Sequence, residues 1–530
     1  MAGSRKTWLV AVSAICAVVA VVVVVVVAWP AKAAGPAQDV LGSSKVFVHL
    51  FEWSWADVAT ECEEFLGPKG FSAVQVSPPM EHITGPSWWT RYQPVSYNLS
   101  SRSGNEAAFV DMVQRCKKAG VDIIADAVFN HIAAGSGVGT AGSPYGNRES
   151  VLYTQDDFHH SPGDPRSNCG VSNYQDLSNV QSCDLVGLPD LCTACPKVQK
   201  AVQSYLSKML AYGVAGFRID AAKHQAVGEL KALLQGVPGG LPWVFQEVIG
   251  GAGEAVKPQM YLDIGEVTEF QYGQQLGANF KVEGKLKYLT NFGEQWGLLS
   301  PGRKATVFID NHDTQRGDAQ LTYKSGDVYI LASIFMLAHP YGHPKVMSSY
   351  FFDSHDQGPP PDAVHSSGGL NCGAGKSWVC EHRRPEIANM VAWRTAAGDS
   401  DVVHFVSSDD GNSAAFCRGR FACVGLNRGG KSWSIRLKVT VPSGQYCEVL
   451  RGNSNNNKNN NNSSNNNKNN NNSNNNNINN NDNDNNSDFS DCSTVTVDGD
   501  GFASIQVPAL SAVAFHIHAK PRFFQGLSFS

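Results

Sequence analysis

Short apolar runs alternate with amphipathic stretches up to about residue 399. Runs typical of strands occupy residues 46–50, 73–76, 122–125, 216–219, 243–245, 307–309 and 345–347. Before the third run, Phe109, Met112 and Cys116 keep the spacing of one apolar helical face, and Gly120 supplies a helix stop. This alternation predicts parallel βαβ units, and therefore an α/β fold.

Two stretches break this alternation. Residues 132–195 are rich in Gly, Ser, Asn and Asp and are too long for an ordinary βα loop, so they predict an inserted subdomain. Beyond residue 399, strands without long helices predict an antiparallel β domain over residues 400–520. Within that domain, residues 453–487 are nearly pure asparagine and have nothing to bury. They are predicted to be a disordered loop insertion with N-x-S glycosylation acceptors.

The N-terminal residues 1–34 have the pattern of a secretory leader. Arg5 and Lys6 precede an uncharged apolar stretch over residues 8–28, and residues 31–33 (AKA) resemble a small-x-small cleavage site. The apolar stretch exceeds a usual signal core of roughly 7–15 residues, and about 20 apolar residues span a bilayer. We therefore favour a cleaved signal peptide and keep an uncleaved signal anchor as the alternative.

Composition narrows the classes of function and the compartment. The formal net charge of −5 leaves no cationic surplus for nucleic-acid phosphates, so a neutral or weakly acidic partner fits better. Of the 13 cysteines, Cys16 lies in the leader, and the even number that remains is typical of disulfides in an oxidising compartment. Cys192 and Cys195 have C-x-x-C spacing without a second pair nearby, which favours a loop disulfide or free thiols over a metal site.

Polar and ionisable side chains directly follow several predicted strands. In chain order they are Asp126, Asn130, His131, Arg218, Asp220, Glu247, Asn311, His312 and Asp313. A parallel barrel builds its active site at this end of its strands, so the pattern predicts that these groups converge. Convergent carboxylates suit glycosidic bond cleavage, which needs one acid at the leaving oxygen and one carboxylate at the anomeric centre. Spacing alone leaves retention or inversion of configuration undecided.

Four of these segments carry a family resemblance. They are DAVFNH at 126–131, GFRIDAAKH at 216–224, QEVI at 246–249 and FIDNHD at 308–313. Their order and strand-end context resemble the four signatures of the α-amylase family, closest to its animal-type, chloride-dependent branch. The similarity covers nearly everything after the leader except the asparagine tract. It implies a (β/α)8 TIM barrel over residues 35–131 and 196–399, with an inserted subdomain after strand 3 and a C-terminal antiparallel β-sandwich.

The resemblance also implies an activity, namely retaining endo-hydrolysis of α-1,4 bonds in starch and glycogen. Asp220 matches the nucleophile, Glu247 the general acid and base, and Asp313 the third carboxylate. Arg218, two residues before Asp220, is expected to favour the ionised nucleophile. The residues that match sugar-binding positions are Trp88, Trp89, Tyr92, Gln93, His131, Lys223, His224 and His312.

Two ions are implied in the same way. A structural Ca²⁺ suits an oxygen-only ligand set. The matching positions are the side chains of Asn130 and Asp190 and the backbone carbonyls of Gln181 and His224. An activating chloride would lie at Arg218, Asn311 and Lys345. The branch usually has Arg where this chain has Lys345, and an ammonium is a point charge where a guanidinium is a fork, so weaker chloride binding is expected.

The resemblance further implies disulfides and leaves other functions open. The implied pairs are Cys62–Cys116, Cys169–Cys183, Cys372–Cys380 and Cys447–Cys492, and Cys417 with Cys423 flank a predicted hairpin that they could bridge. The alternatives are transglycosylation, a non-catalytic ectodomain behind a membrane anchor and pure carbohydrate binding. The last two are disfavoured because all three carboxylates are present. We expect a secreted monomer acting on polysaccharide, with a lysosomal, vesicular or membrane-anchored location as alternatives.

Overall fold

The computed structural model describes residues 44–146, 148–161, 164, 167–451 and 492–521. The predicted leader and asparagine tract lie outside the described residues. Within the described part of the chain, no helix is both long enough and apolar enough to cross a membrane.

Eight short parallel strands close into a barrel. They are β1 (Phe47–Leu50), β2 (Ala73–Val76), β3 (Asp122–Ala127), β4 (Gly216–Ile219), β5 (Val244–Gln246), β6 (Glu266–Thr268), β7 (Ala305–Val307) and β8 (His343–Ser348). Each strand pairs with its sequence neighbours, and β8 closes the ring by pairing in parallel with β1. Nearly every strand residue is buried, as expected of strands covered on both faces. The predicted barrel is confirmed.

Helices of the expected kind connect the strands. The main helices are α1 (Trp55–Glu61), α2 (Glu106–Lys118), α3 (Leu177–Ser182), α4 (Pro196–Tyr212), α5 (Val227–Gln235), α6 (Phe270–Lys281), α7 (Asp327–Ala338) and α8 (Pro385–Ala397). In α2, the Asn105 side chain accepts the N–H of Ala108 and caps the first turn. Phe109, Met112 and Cys116 are its buried face, as their spacing predicts.

Two strands differ from the sequence-based expectation. β6 was not predicted, because three residues with one apolar position, Val267, give no detectable run. β7 ends at Val307, whereas the apolar pattern predicts a strand over 307–309. Phe308 and Ile309 are as buried as the strand itself, so hydrophobicity continues after the backbone has left the ladder.

The insert after β3 combines short strands with α3. A three-stranded antiparallel sheet is formed by Ser136–Val138, Pro144–Gly146 and Glu149–Ser150. Glu81 supports this sheet, since its Oε1 accepts the N–H groups of Ala141 at 2.9 Å and Ser143 at 3.0 Å. The segment therefore carries its own hydrogen-bonded structure, as predicted for an inserted subdomain rather than a plain loop.

The C-terminal region is a sandwich of two antiparallel sheets. Its strands are β9 (Val402–Ser407), β10 (Ser413–Arg418), β11 (Ala422–Asn427), β12 (Trp433–Lys438), β13 (Gly444–Cys447), β14 (Thr494–Val497), β15 (Phe502–Val507) and β16 (Ser511–His516). One sheet has the order β9-β10-β11-β16 and the other β12-β15-β14-β13. Trp393 of α8 donates its indole N–H to the carbonyls of Cys423 and Phe515, each at 3.1 Å. This contact fixes the sandwich to the barrel.

Six disulfides link the cysteines of the described residues. They are Cys62–Cys116, Cys169–Cys183, Cys192–Cys195, Cys372–Cys380, Cys417–Cys423 and Cys447–Cys492. The four pairs implied by the resemblance are present. The C-x-x-C pair is a loop disulfide, and the hairpin pair is bridged. The last disulfide closes the ends of the segment that contains the asparagine tract.

Candidate active site

A cleft of about 620 Å³ opens at the C-terminal ends of the barrel strands. Asp220, Glu247 and Asp313 all line it. It is also lined by every residue predicted to bind sugar, namely Trp88, Trp89, Tyr92, Gln93, His131, Lys223, His224 and His312. The strand-end side chains therefore converge, as the parallel barrel requires. Their individual roles stay predictions.

One buried guanidinium joins three acids. Arg218 Nη1 donates to Asp126 Oδ1 at 2.6 Å and to Asp220 Oδ1 at 2.8 Å, and Arg218 Nη2 lies 2.7 Å from Glu247 Oε1. Strand register explains the convergence, since Asp126 and Phe245 are the neighbours of Arg218 on β3 and β5. Charge-assisted bonds of this length hold the carboxylates in fixed positions.

Burial dominates the acidity of this cluster. It raises the pKa of Asp220 well above its ordinary value, and the charges of Glu247 and Asp126 add to the effect while Arg218 opposes it. Burial likewise raises the pKa of Asp126. The expectation that Arg218 favours an ionised Asp220 is therefore incomplete. One cation is shared by three buried carboxylates, so burial and the neighbouring charges outweigh its effect on Asp220.

Asp313 lies in a tight turn after β7. The side-chain oxygen of Asn311 accepts the backbone N–H groups of Asp313 at 3.0 Å and Thr314 at 2.8 Å. His312 Nε2 is 3.3 Å from Asp313 Oδ2, and 39% of the Asp313 side chain is exposed. Burial of the surrounding wall raises the pKa of Asp313, although this exposure limits the shift. Asp313 is thus the most accessible of the three predicted catalytic acids.

Aromatic rings form one wall of the cleft. The ring of Tyr92 stacks on His312 with centroids 5.0 Å apart and planes at 10°, and Trp88 meets His312 edge-on at 5.8 Å. Behind this wall, the Arg316 guanidinium lies 5.0 Å from the Trp88 ring centroid and donates to the His312 carbonyl at 2.6 Å. These contacts fix the wall before any ligand binds, which lowers the entropy cost of binding.

Two of the predicted calcium ligands lie where the loop after β3 pairs with the insert. His131 and Asp190 form an antiparallel bridge, and the Leu191 N–H bonds to the Asn130 carbonyl at 2.9 Å. Oδ1 of Asn130 and Oδ1 of Asp190 are buried without a hydrogen-bond partner among the described residues. Burial raises the pKa of Asp190 to about 7. Unpaired buried oxygens are costly, and a hard cation would satisfy both.

The other two predicted calcium ligands lie where α3 contacts the turn after β4. His224 Nδ1 is 2.9 Å from the Val180 carbonyl, and Gln181 Nε2 donates to the Gln225 carbonyl at 3.3 Å. His131, which neighbours the first pair of ligands, and His224 both line the cleft. The two unpartnered oxygens of Asn130 and Asp190 therefore suit an oxygen-ligated cation between barrel and insert.

Lys345, one of the predicted chloride residues, lies inside the barrel on β8. Its Nζ bonds to Gln75 Oε1 at 3.3 Å and is 4.9 Å from the Phe308 ring centroid. Burial lowers the pKa of Lys345 to about 7, and the nearby charge of Arg218 adds to the effect. The side-chain oxygen of Asn311 faces the turn described above, which leaves its amide N–H groups as donors for an anion.

Comparison with known proteins assigns the family. Residues 88–233 match the family model "Alpha amylase, catalytic domain", and residues 405–518 match "Alpha amylase, C-terminal all-beta domain". The α-amylase of Tenebrio molitor is 45% identical over 429 residues, which are 76% of this chain and 88% of the relative. The α-amylase of Tribolium castaneum is 42% identical over 89% of this chain and 94% of its own length. The chain belongs to the α-amylase family.

Solved structures of α-amylases agree with this family assignment. The crystal structure of α-amylase I from Eisenia fetida matches with a TM-score of 0.76 at 35% identity, covering 89% of this chain and 97% of the other. A mutant of the Eisenia enzyme in complex with maltohexaose matches with a TM-score of 0.75 at 36% identity. The chain is therefore a glycoside hydrolase built on the α-amylase fold.

The cleft of this α-amylase-family enzyme contains apolar residues that sequence analysis missed. Tyr174, Val186 and Ile249 line it with 39%, 86% and 46% of their surfaces exposed. Tyr174 also makes a cation–π contact with Lys223, whose Nζ lies 4.5 Å from the ring centroid. The same Nζ donates to Glu254 Oε2 at 2.7 Å. Two of the three fall outside the signature segments, in an insert without periodicity, so no pattern pointed to them.

Proposed function

We propose that this enzyme hydrolyses internal α-1,4-glucosidic bonds of starch and glycogen with retention of anomeric configuration. The observation that carries the proposal is the bridge from Arg218 to Asp220 and Glu247, with Asp313 on the same cleft. A single guanidinium spans the two carboxylates, which supports the short separation typical of retaining enzymes. Inverting enzymes hold the two groups farther apart to admit a water molecule.

In the proposed reaction, Glu247 donates its proton to the glycosidic oxygen while Asp220 attacks the anomeric carbon. The bond to the leaving sugar breaks, and a covalent glycosyl-Asp220 ester forms. Glu247, now ionised, takes a proton from water, and the resulting hydroxide displaces Asp220. Two inversions give net retention. The Ala221 N–H donates to Glu247 Oε2 at 2.9 Å and aims the carboxyl group.

The cleft supports glucan as the substrate. Trp88, Trp89 and Tyr92 offer ring faces on which sugar rings stack, while Lys223 and the cleft histidines offer donors for hydroxyl groups. The exposure of the Asp313 side chain to the cleft supports a role in binding hydroxyl groups of the sugar that reacts.

The proposal includes two ions. Ca²⁺ would be held by Asn130 and Asp190 with the Gln181 and His224 carbonyls, and would fix the insert against the barrel. Chloride at Arg218, Asn311 and Lys345 would favour the protonated form of the acid by adding negative charge beside it. We further propose that the protein is a monomer and that it is secreted. The six disulfides support secretion, because disulfides persist in oxidising compartments.

The test is Glu247→Gln, which keeps the shape of the side chain and removes its proton donor. Starch hydrolysis should fall by at least about a thousandfold. Glu254→Gln is the matched control, because Glu254 lines the same cleft without bonding Arg218, and it should keep most of kcat. Retained activity in Glu247→Gln would remove Glu247 from the mechanism.

Two further measurements test the stereochemistry and the main alternative. Proton NMR of the first products should show the α-anomer before mutarotation, and an initial β-anomer would exclude retention. Chromatography with added maltose as acceptor separates hydrolysis from transglycosylation, since a transglycosylase would lengthen the acceptor. We expect shorter maltodextrins as the main products.

A further inference from the structure

A second concave region lies at the opposite, N-terminal end of the barrel. Two cavities of about 640 and 410 Å³ adjoin there, and they share Lys45, Arg303 and His343. The larger one is lined by residues at or just before the starts of β5 to β8. The smaller one, which we call the junction cavity, continues between the barrel and the first strands of the C-terminal sandwich.

Two arginines of the junction cavity are buried without a carboxylate partner among the described residues. Arg394 is 6% exposed and Arg418 is 1% exposed. Arg394 donates to the carbonyls of Leu337 at 3.0 Å, His339 at 2.7 Å and Gly342 at 3.0 Å. Burial lowers the pKa of Arg394 to about 10 and that of Arg418 to about 9, and the charge of Arg394 adds to the shift of Arg418. The charge of Asp399 acts in the opposite direction on both arginines but does not outweigh burial.

A purely structural role explains part of this arrangement. Arg418 donates to the Ala338 and Gly398 carbonyls, each at 2.8 Å, at the ends of α7 and α8, and to the Ser400 carbonyl at 2.5 Å. Cations at helix C-termini are favourable, but a helix end offers only about half a unit of negative charge. Two full charges therefore exceed what the two helix ends supply. Each guanidinium also has five N–H donors and uses three here.

The acids of the junction cavity are already engaged. Asp399 pairs with Lys45 at 2.9 Å, and its side chain is 84% exposed. Glu294 accepts the Gly302 N–H at 2.7 Å and the Ser300 hydroxyl at 2.8 Å. Arg303 at the mouth has no ion pair within the described part of the chain. Cations thus outnumber available acids in a protein whose net charge is −5.

We propose that the junction cavity binds a phosphate group, with Arg394 and Arg418 at its floor and Lys45 and Arg303 at its mouth. Guanidinium forks match the geometry of phosphate oxygens, and charge-assisted bonds in a buried site are strong. A cavity of 410 Å³ exceeds the size of one phosphate, so a phosphate ester also fits. The site lies away from the catalytic cleft, and the proposal does not depend on the proposed hydrolysis.

The test is calorimetric titration of the full chain with inorganic phosphate, glucose 6-phosphate and glucose, at constant chloride and ionic strength. Phosphate should bind saturably with one site per chain. A Lys45→Ala/Arg303→Ala variant should bind it roughly tenfold more weakly or worse, because two charge-assisted contacts at the mouth are lost. Lys45 and Arg303 lie at the mouth of the junction cavity, so this variant keeps the helix caps that Arg394 and Arg418 provide.

The matched control is Arg436→Ala/Lys438→Ala, which removes two cations from the β-sandwich surface near Asp498 and Asp500. It should bind phosphate as the unaltered chain does, and starch hydrolysis should be the same in all three proteins. Tighter binding of glucose 6-phosphate than of phosphate identifies an ester as the ligand, and weaker binding identifies free phosphate. Absence of saturable phosphate binding, or equal affinity in the Lys45→Ala/Arg303→Ala variant, would overturn the proposal.

Discussion

The two ends of the barrel carry cavities with opposite chemistry, the cleft of about 620 Å³ at the C-terminal end and the junction cavity of about 410 Å³ at the N-terminal end. At the C-terminal end, Arg218 is surrounded by carboxylates. Burial alone lowers its pKa, but Asp126, Glu247 and Asp220 outweigh burial and raise the pKa well above its ordinary value. At the N-terminal end, Arg394 bonds to no carboxylate within the described residues, and burial lowers its pKa to about 10 despite the charge of Asp399. The same side chain is held by acids at one end and by carbonyls at the other.

This difference shows how one scaffold separates catalysis from stability. The acids of the cleft follow the ends of their strands, where loops can vary without disturbing the barrel interior. The buried arginines of the other end hold helix ends and the sandwich in place, so they serve the fold first. β8 connects the two regions. His343 at its start lines the cavities at the N-terminal end of the barrel, and Lys345 lies among the charges of the cleft.

The largest effect should come from removing the cation of the acid cluster. Arg218→Ala leaves three buried carboxylates uncompensated, and we expect kcat/KM to fall by about a thousandfold. Arg218→Lys keeps the charge but loses the fork that bonds three groups, so it should fall by less. The measurement is the pH profile of starch hydrolysis in both variants.

The pH profile distinguishes electrostatics from structural damage. Arg218 opposes the rise in the pKa of Asp220, so its removal should raise that pKa further. The proposed nucleophile, Asp220, must be ionised to react, so the acidic limb of the profile should move to higher pH. Arg115→Lys, on the surface of α2, is the control and should leave the limb in place. An unmoved limb in Arg218→Ala would show that the cation does not tune the nucleophile.

Sequence predicted the cleft far better than the opposite end, for a physical reason. Asp220, Glu247 and Asp313 each follow a strand, and the parallel barrel brings all strand ends to one rim, so their convergence could be inferred without coordinates. The sharing of Arg218 among three acids could not, because it depends on strand register. Arg394 and Arg418 come from a helix and a strand of different domains, and only the packing of α8 against the sandwich brings them together.

The next largest effect concerns the cation proposed between barrel and insert. Asp190→Asn removes the one charged ligand of the proposed set and should weaken Ca²⁺ binding by roughly a hundredfold. Asp176→Asn is the matched control, because it makes the same charge change and Asn caps α3 as well as Asp does. Calorimetric melting with and without chelator measures the effect. If chelator lowers the melting temperature of the unaltered chain and of Asp190→Asn equally, Asp190 is not a ligand.

The smallest effect should come from Lys345. It is the sharpest test of how positive and negative charges are balanced beside the cleft. Its pKa is lowered to about 7, first by burial and then by Arg218, so it carries a full charge only below that pH. Chloride activation should therefore weaken as pH rises through 7. Lys345→Arg stays charged over this range and offers a fork, so its chloride activation should be several-fold tighter at pH 8 and nearly independent of pH.

The measurement for Lys345 is the chloride concentration for half-maximal starch hydrolysis at pH 6 and pH 8, in both proteins. Lys345→Met serves as the neutral control and should behave at both values as the unaltered enzyme does at pH 8. Chloride affinity should fall as pH rises, because a lysine with a lowered pKa loses its proton, and with it its positive charge, near neutrality. If the unaltered enzyme needs the same chloride concentration at pH 6 and pH 8, Lys345 keeps its charge over this range. The charges of Asp126 and Glu247 would then offset the burial of Lys345, even though both acids also bond to Arg218.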